Sequence, residues 1–322
     1  MNEAAPASER RVEYGNNVTV HGLFFRHALK ANAQIAKPES GSTQVSSAAI
    51  APEGESRSRN LGRALRPHVP RGRHGMKLYH SDQARTLETG RAMKGGARYH
   101  LADWDAKKPD KYKDQKTIAL SLDFPEGFLP LYTKLFEENK ARLMQKKGIR
   151  KDFSELPPEE QAAIAEPAEE PIIRDWLEKS DSELARLYPP EEAAAKLAVR
   201  VSWVLAMPAR LRSGSQVELL HVTHKTITEP LLMRILVLDS GQRPERLADI
   251  GGSLGLNDGW GIEVRRDQKG RRKVRLCIYR AQDTVNGSHY EKKKYKINLA
   301  ELERLAHLGM LAKKENVAEK AA

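Results

Sequence analysis

The sequence predicts an α/β fold, a three-layer α/β/α sandwich around a mostly parallel central sheet. Short runs rich in β-branched and aromatic residues alternate with amphipathic stretches of helical period. Cap and turn residues such as Pro52, Ser81-Asp82 and Asp267–Gly270 punctuate that alternation. The chain has 322 residues, 39% apolar and 30% charged, enough for a real buried core.

Residues 1–17 read as a flexible tail. Val18 to Phe25 has strand composition and stops at Arg26-His27. Residues 37–51 are polar and rich in Ser, Pro and Gly, hence a loop, and Pro52 opens a helix to about Arg66. Met76 to His80 reads as a strand, and Ser81-Asp82 caps a helix from Gln83 to about Met93. Thr117 to Leu122 is a candidate third strand, followed by a helix from about Leu129 to Lys146. Residues 150–190 carry six prolines and predict short, broken helices; 98–190 as a whole reads as an insertion or lid.

Glu191 to about Arg210 is an amphipathic helix. Gln216 to Thr223 is the most apolar strand and stops at His224, with a helix expected over Thr228–Val237. Gly259–Arg266 and Lys273–Arg280 form a hairpin pattern, and Asn298–Ala312 is an amphipathic helix. The expected organisation is one domain over 18–282 and a basic C-terminal extension with a helix over 283–322.

The formal charge is +12, distributed unevenly. Residues 263–322 hold 16 basic and 8 acidic side chains, whereas 155–192 hold 12 acidic and 3 basic. A basic chain suits an anionic partner, but the acidic stretch would repel a nucleic acid, and the lysine and arginine runs near 271–273 and 292–294 read as solvated faces. No apolar run is long enough to span a membrane, and the polar start lacks a secretory pattern. A single cysteine, Cys277, excludes an internal disulfide or CxxC motif, so a cytoplasmic setting is expected.

In open α/β sheets chemistry gathers beyond the carboxyl ends of the strands. Arg26 and His27 stand at one such end, Ser81 and Asp82 at the next with Arg85 a helical turn on, and His224-Lys225 at another. Asp123 and Glu126 follow the candidate third strand. Arginine forks grip phosphate oxygens, a neutral imidazole is a nucleophile, and a carboxylic acid protonates a leaving oxygen. Such a set transfers a phosphoryl group with fixed positive charge in place of a metal. Sequences of the HExxH, GxSxG and GxxxxGK[ST] types are absent.

Five segments, in order, resemble the histidine phosphatase superfamily, the phosphoglycerate-mutase-like proteins. They are Phe24-Phe25-Arg26-His27; Ala51–Gly54 with Asn60–Leu65; His80–Thr89; Glu191–Ala194; and Leu219–His224. They span about residues 18–237. The resemblance implies that His27 is the nucleophile that becomes phosphohistidine. It implies that Arg26, Arg85 and His224 bind the phosphoryl oxygens, with Asn32 and Lys225 as further contacts. Glu126 stands where the family often supplies the acid, with Asp123 its rival. It implies a small phosphorylated substrate and no metal or organic cofactor. The family usually carries glycine after each histidine, where this chain has Ala28 and Lys225.

Other features have plainer readings. His221 faces away from His224 on its strand and reads as a packed histidine. Gly251–Gly255 reads as a connection into the hairpin. The expected activity is a phosphatase, with a mutase-type phosphotransferase or a non-catalytic anion- or nucleic-acid-binding module on the same fold as alternatives. The sequence sets no oligomeric state.

Overall fold

The computed structural model describes residues 13–30, 49–65, 74–97, 114–117, 120, 124–284 and 287–319. In chain order they form β1 (Val18–Arg26), α1 (Pro52–Ala64), β2 (His74–His80), α2 (Ala84–Gly96) and β3 (Gln115–Lys116). Then come α3 (Phe128–Lys146), α4 (Pro158–Glu178), α5 (Glu183–Leu187), α6 (Pro190–Ala206), β4 (Gln216–Thr223) and α7 (Lys225–Ile235). The chain continues with β5 (Leu236–Val237), β6 (Gly259–Arg266), β7 (Arg272–Thr284), β8 (Gly287–Ile297) and α8 (Leu299–Glu319).

The strands make one sheet in the order β3-β2-β4-β1-β6-β7-β8-β5. The expectation of a mostly parallel sheet is corrected here. Only β3, β2, β4 and β1 run parallel; β6, β7, β8 and β5 each pair antiparallel. For β6 and β7 the physical reason is the tight Asp267–Arg271 turn, since a strand joined to its neighbour by so short a connection must reverse. Residues 283–322 contribute β8 to this sheet and α8 to its helical layer, and position 283 lies within β7.

Helices cover both faces. On one, Val20, Phe24, Leu219, Trp260 and Ile262 pack with Val201 and Val204 of α6, Leu231 of α7 and Leu302 of α8. On the other, Leu23, Phe25, Leu78, Leu220 and Val222 pack with Leu87 and Met93 of α2. Burial on both sides explains why β1 and β4 read as nearly continuous apolar runs. α1 and α2 touch backbone to backbone: a Cβ on Gly62 would overlap the Met93 carbonyl, and one on Gly96 the Arg59 carbonyl.

Two helices differ from expectation. α7 begins at Lys225, directly after β4, rather than at Thr228. The prolines of the 150–190 stretch do not break α4, a helix of 21 residues with Pro167 and Pro171 inside it. Ile164, Ala168, Ile172, Ile173 and Trp176 bury one face of α4 and outweigh the lost backbone bonds. Pro167 has no N–H for the Ala163 carbonyl, and Lys147 Nζ donates to that oxygen instead, at 3.4 Å. Phe128, Tyr132, Trp176 and Tyr188 cluster around this packing. Leu247 N donates to Glu178 Oε1 at 2.6 Å, tying the end of α4 to the body. Among the described residues no helix is long and apolar enough to cross a membrane.

Candidate active site

Register brings the first parts of the site together. Arg26 of β1 pairs with Thr223 of β4, so His27 and His224 leave adjacent parallel strands at one level. The His27 amide donates to the Thr223 carbonyl at 3.0 Å, and the two imidazole centroids lie 5.1 Å apart. On the far side of β4, His80 pairs with Val222, which carries Ser81 to the same rim. α2 and α7 start at that rim, with N-termini that favour an anion.

The tautomer of His27 follows from its partner. Nδ1 lies 2.8 Å from the Ala28 carbonyl, which only accepts, so Nδ1 carries the hydrogen and the neutral ring keeps its lone pair on Nε2. Thr89 Oγ1 donates to the Arg85 carbonyl at 2.7 Å and accepts from the Ala28 amide at 2.9 Å, fixing the backbone beside the ring. For His224, Thr86 Oγ1 donates to Gln83 O, so it accepts from Ser81 Oγ at 2.9 Å. Ser81 Oγ, its hydrogen thus used, accepts from His224 Nε2 at 3.3 Å. Burial, then the charges of Arg85, Lys30 and Arg26, hold both imidazoles well below their ordinary pKa, and His224 adds to the effect on His27. Both rings are therefore neutral near pH 7.

Arg26 is buried, and its Nη1 donates to the Leu254 carbonyl at 3.0 Å. The same Nη1 pairs with Glu166 Oε1 at 2.5 Å, and Nη2 pairs with Glu169 Oε2 at 3.2 Å. Burial works against its charge, but Glu166, Glu169 and Glu229 raise its pKa above the ordinary value. Arg85 is buried as well; burial first, then Arg26, lowers it to about 10. Lys225 Nζ lies 2.7 Å from Glu169 Oε2. Tyr132 Oη donates to the other Glu169 oxygen. Burial opposes that carboxylate, yet Lys225 and Arg26 bring its pKa down to about 2.

The structure thus gathers Arg26, His27, Arg85, His224 and Lys225. Glu126 is exposed in the turn before α3. Asn32 and Asp123 lie outside the described residues. Sequence reasoning missed Lys30, whose charge acts on both histidines. Burial and then Arg85 lower Lys30 to about 7. It also missed Glu166 and Glu169, for which the signal was their three-residue spacing on one helical face. Glu229 was missed too: it is fully buried, and burial raises its pKa. Its Oε1 accepts from Ser253 Oγ at 2.7 Å and Leu254 N at 2.5 Å, while Oε2 has no partner among the described residues.

The glycine-rich segment 251–255 turns its carbonyls inward rather than cradling an anion. Arg280 donates to the carbonyls of Ile250, Gly252 and Ser253 at 3.0, 2.6 and 2.7 Å. It also pairs with Asp258 at 3.0 Å. That clamp sets Leu254, which in turn holds Arg26. His221 is a packed ring, stacked on Phe24 at 4.3 Å and Tyr79 at 5.0 Å. Among the described residues, no three His, Cys, Asp or Glu side chains are grouped as a metal would require.

No family model matches the chain, and no curated protein matches it. Solved structures similar to it include the apo phytase of Hafnia alvei, at 10% identity and TM-score 0.49 over 94% of this chain and 98% of that one. The Klebsiella sp. ASR1 phytase shows 14% identity and TM-score 0.41 over 91% and 95% of the respective chains. The D. castellii phytase shows 11% identity and TM-score 0.43 over 86% and 76%. Likeness of chemistry does not follow from such values.

Proposed function

We propose that the protein is a metal-independent phosphatase that hydrolyses a phosphate monoester through a phosphohistidine on His27. The observation that carries this reading is the His27 ring itself. It is buried and neutral, its lone pair is held on Nε2 by the Ala28 carbonyl, and it stands among Arg26, Arg85, Lys30 and His224.

The ester phosphate docks on Arg26, Arg85 and Lys30, beside the neutral His224. His27 Nε2 attacks phosphorus, a P–N bond forms, and the P–O bond to the leaving alcohol breaks. Arginine forks hold the equatorial oxygens through the charge-spread transition state. A carboxylic acid gives its proton to the departing oxygen. Water then attacks phosphorus, the P–N bond breaks, inorganic phosphate leaves, and the carboxylate recovers a proton from the water. Glu126 and Asp123 remain the proposed acids from sequence. Glu229 joins them because its raised pKa and unpartnered Oε2 suit a proton donor.

The test is a rapid acid-labile trapping experiment with a radiolabelled monoester in excess chelator. Wild-type protein should carry label that is stable to base and lost in acid, and His27→Ala should carry none and turn nothing over. Equal turnover by the two proteins refutes the proposal. Comparing Glu126→Gln, Asp123→Asn and Glu229→Gln on esters with poor leaving groups assigns the acid.

A further inference from the structure

Resting on that reading, we infer that the site accepts monoesters whose leaving alcohol is neutral or cationic and rejects polyphosphorylated ones, through Glu166 and Glu169 of α4.

α4 is the most acidic helix next to the site. Its Glu166 and Glu169 lie three residues apart and face the phosphate-binding cations together. Arg26 has five N–H donors. One goes to Leu254, one to Glu166 and one to Glu169, which leaves Nε and one Nη2 hydrogen for a phosphate among the described residues. Lys225 is paired with Glu169. Of the positive groups at the rim, Arg26 and Lys225 are therefore matched within the fold. Arg85, itself hydrogen-bonded to Gln83 Oε1 at 3.4 Å, and Lys30 stand beside the remaining Arg26 donors, a set sized for one phosphate dianion.

A second phosphate on the substrate meets a different surface. Glu166 keeps 32% of its side chain exposed beside Arg26, and it belongs to the 155–192 stretch with its excess of acidic residues. A like charge brought within a few ångströms in a partly desolvated cleft is strongly disfavoured. The basic surplus of this chain lies mainly on β7, β8 and the tail, and the one of its arginines tied to the site wall, Arg280, is already paired with Asp258 at 3.0 Å. Built-in repulsion of this sort is how a site discriminates at little loss to its preferred ligand.

The test measures kcat/KM for phosphoethanolamine, p-nitrophenyl phosphate and inositol hexakisphosphate with wild type and Glu166→Gln. Wild type should prefer the first two, and Glu166→Gln should raise the relative value for the hexakisphosphate about tenfold or more. Gln is isosteric with Glu, and a thermal melt with circular dichroism verifies that Glu166→Gln is folded before its kinetics are compared. A wild type that prefers the polyanion, or a ratio unmoved by Glu166→Gln, overturns the inference. Calorimetry separates this from failure of the catalytic reading. His27→Ala and His27→Ala/Glu166→Gln are titrated with inorganic phosphate and with inositol hexakisphosphate, and the same tenfold shift in the affinity ratio is expected without any turnover.

Discussion

Glu169 is the side chain on which site and stability meet, and Glu169→Gln is the perturbation that reads both. Its carboxylate accepts from Lys225, Arg26 and Tyr132, and its pKa falls from 4.5 to about 2. A shift of that size, at 1.36 kcal/mol per pH unit, is worth about 3 kcal/mol of folding free energy at pH 7. The sign is that of a depressed acid. The stabilisation is complete above the unfolded value of 4.5 and fades as pH falls toward 2. Gln keeps the shape but loses the charge, and it leaves Lys225 buried without its anion. Urea unfolding at pH 7 should show Glu169→Gln less stable by about 3 kcal/mol, or roughly 4–5 °C in Tm for a chain of 322 residues. The gap should narrow as both proteins are taken from pH 5 toward acid. Saturating inorganic phosphate should restore part of the loss, since the ligand supplies the missing anion. A loss under about 1 kcal/mol at pH 7, or a gap that is flat with pH, would refute the view that these ion pairs organise the site.

NMR titration of the free protein should find His27 and His224 neutral through pH 6.5, with midpoints well below it; a midpoint at or above 6.5 contradicts the burial argument. His21 faces Glu218 at 3.6 Å and Glu263 at 3.5 Å across three strands. Burial opposes its charge, but the two hydrogen-bonded carboxylates raise it to about 9. Its contribution, about 2 kcal/mol after allowance for partial exposure, is full below pH 6.5 and lost as pH rises through about 9. Urea midpoints at pH 6 and 9.5 should show that fall in wild type and not in His21→Asn. Gly62→Ala should destabilise by about 1–3 kcal/mol in thermal unfolding, because the methyl meets the Met93 carbonyl; an unchanged Tm would show that α1 can slide on α2.

Much of the site was legible because its residues stand immediately after strands. Arg26, His27 and His224 are placed by strand ends whose composition is unmistakable, and Arg85 by a helix one turn beyond Ser81. What stayed hidden came from far along the chain. Glu166 and Glu169 sit in a proline-bearing stretch that reads as broken, and only tertiary burial of Ile164, Ile172 and Trp176 makes it one helix. The parallel half of the sheet was readable from alternation of strand and helix. Of the antiparallel half only the β6–β7 hairpin was readable; β8 was not, because it is a lysine-rich run that resembles a solvated surface, held as a strand by its ladder to β7.

The position of β1 has a consequence for synthesis on the ribosome. It lies in the middle of the sheet, yet its partners β4 and β6 begin about 190 and 230 residues after it ends. At ~5–20 residues per second, an apolar strand waits roughly 10–40 s before its first neighbour emerges. During that interval Val18–Arg26 is an unpaired edge on both sides. Closure of the sheet, and with it the pairing of His27 and His224, is a late event set by long-range contacts. A nascent chain arrested before residue 216 should therefore bind a chaperone through β1, and one extended past 266 should let go.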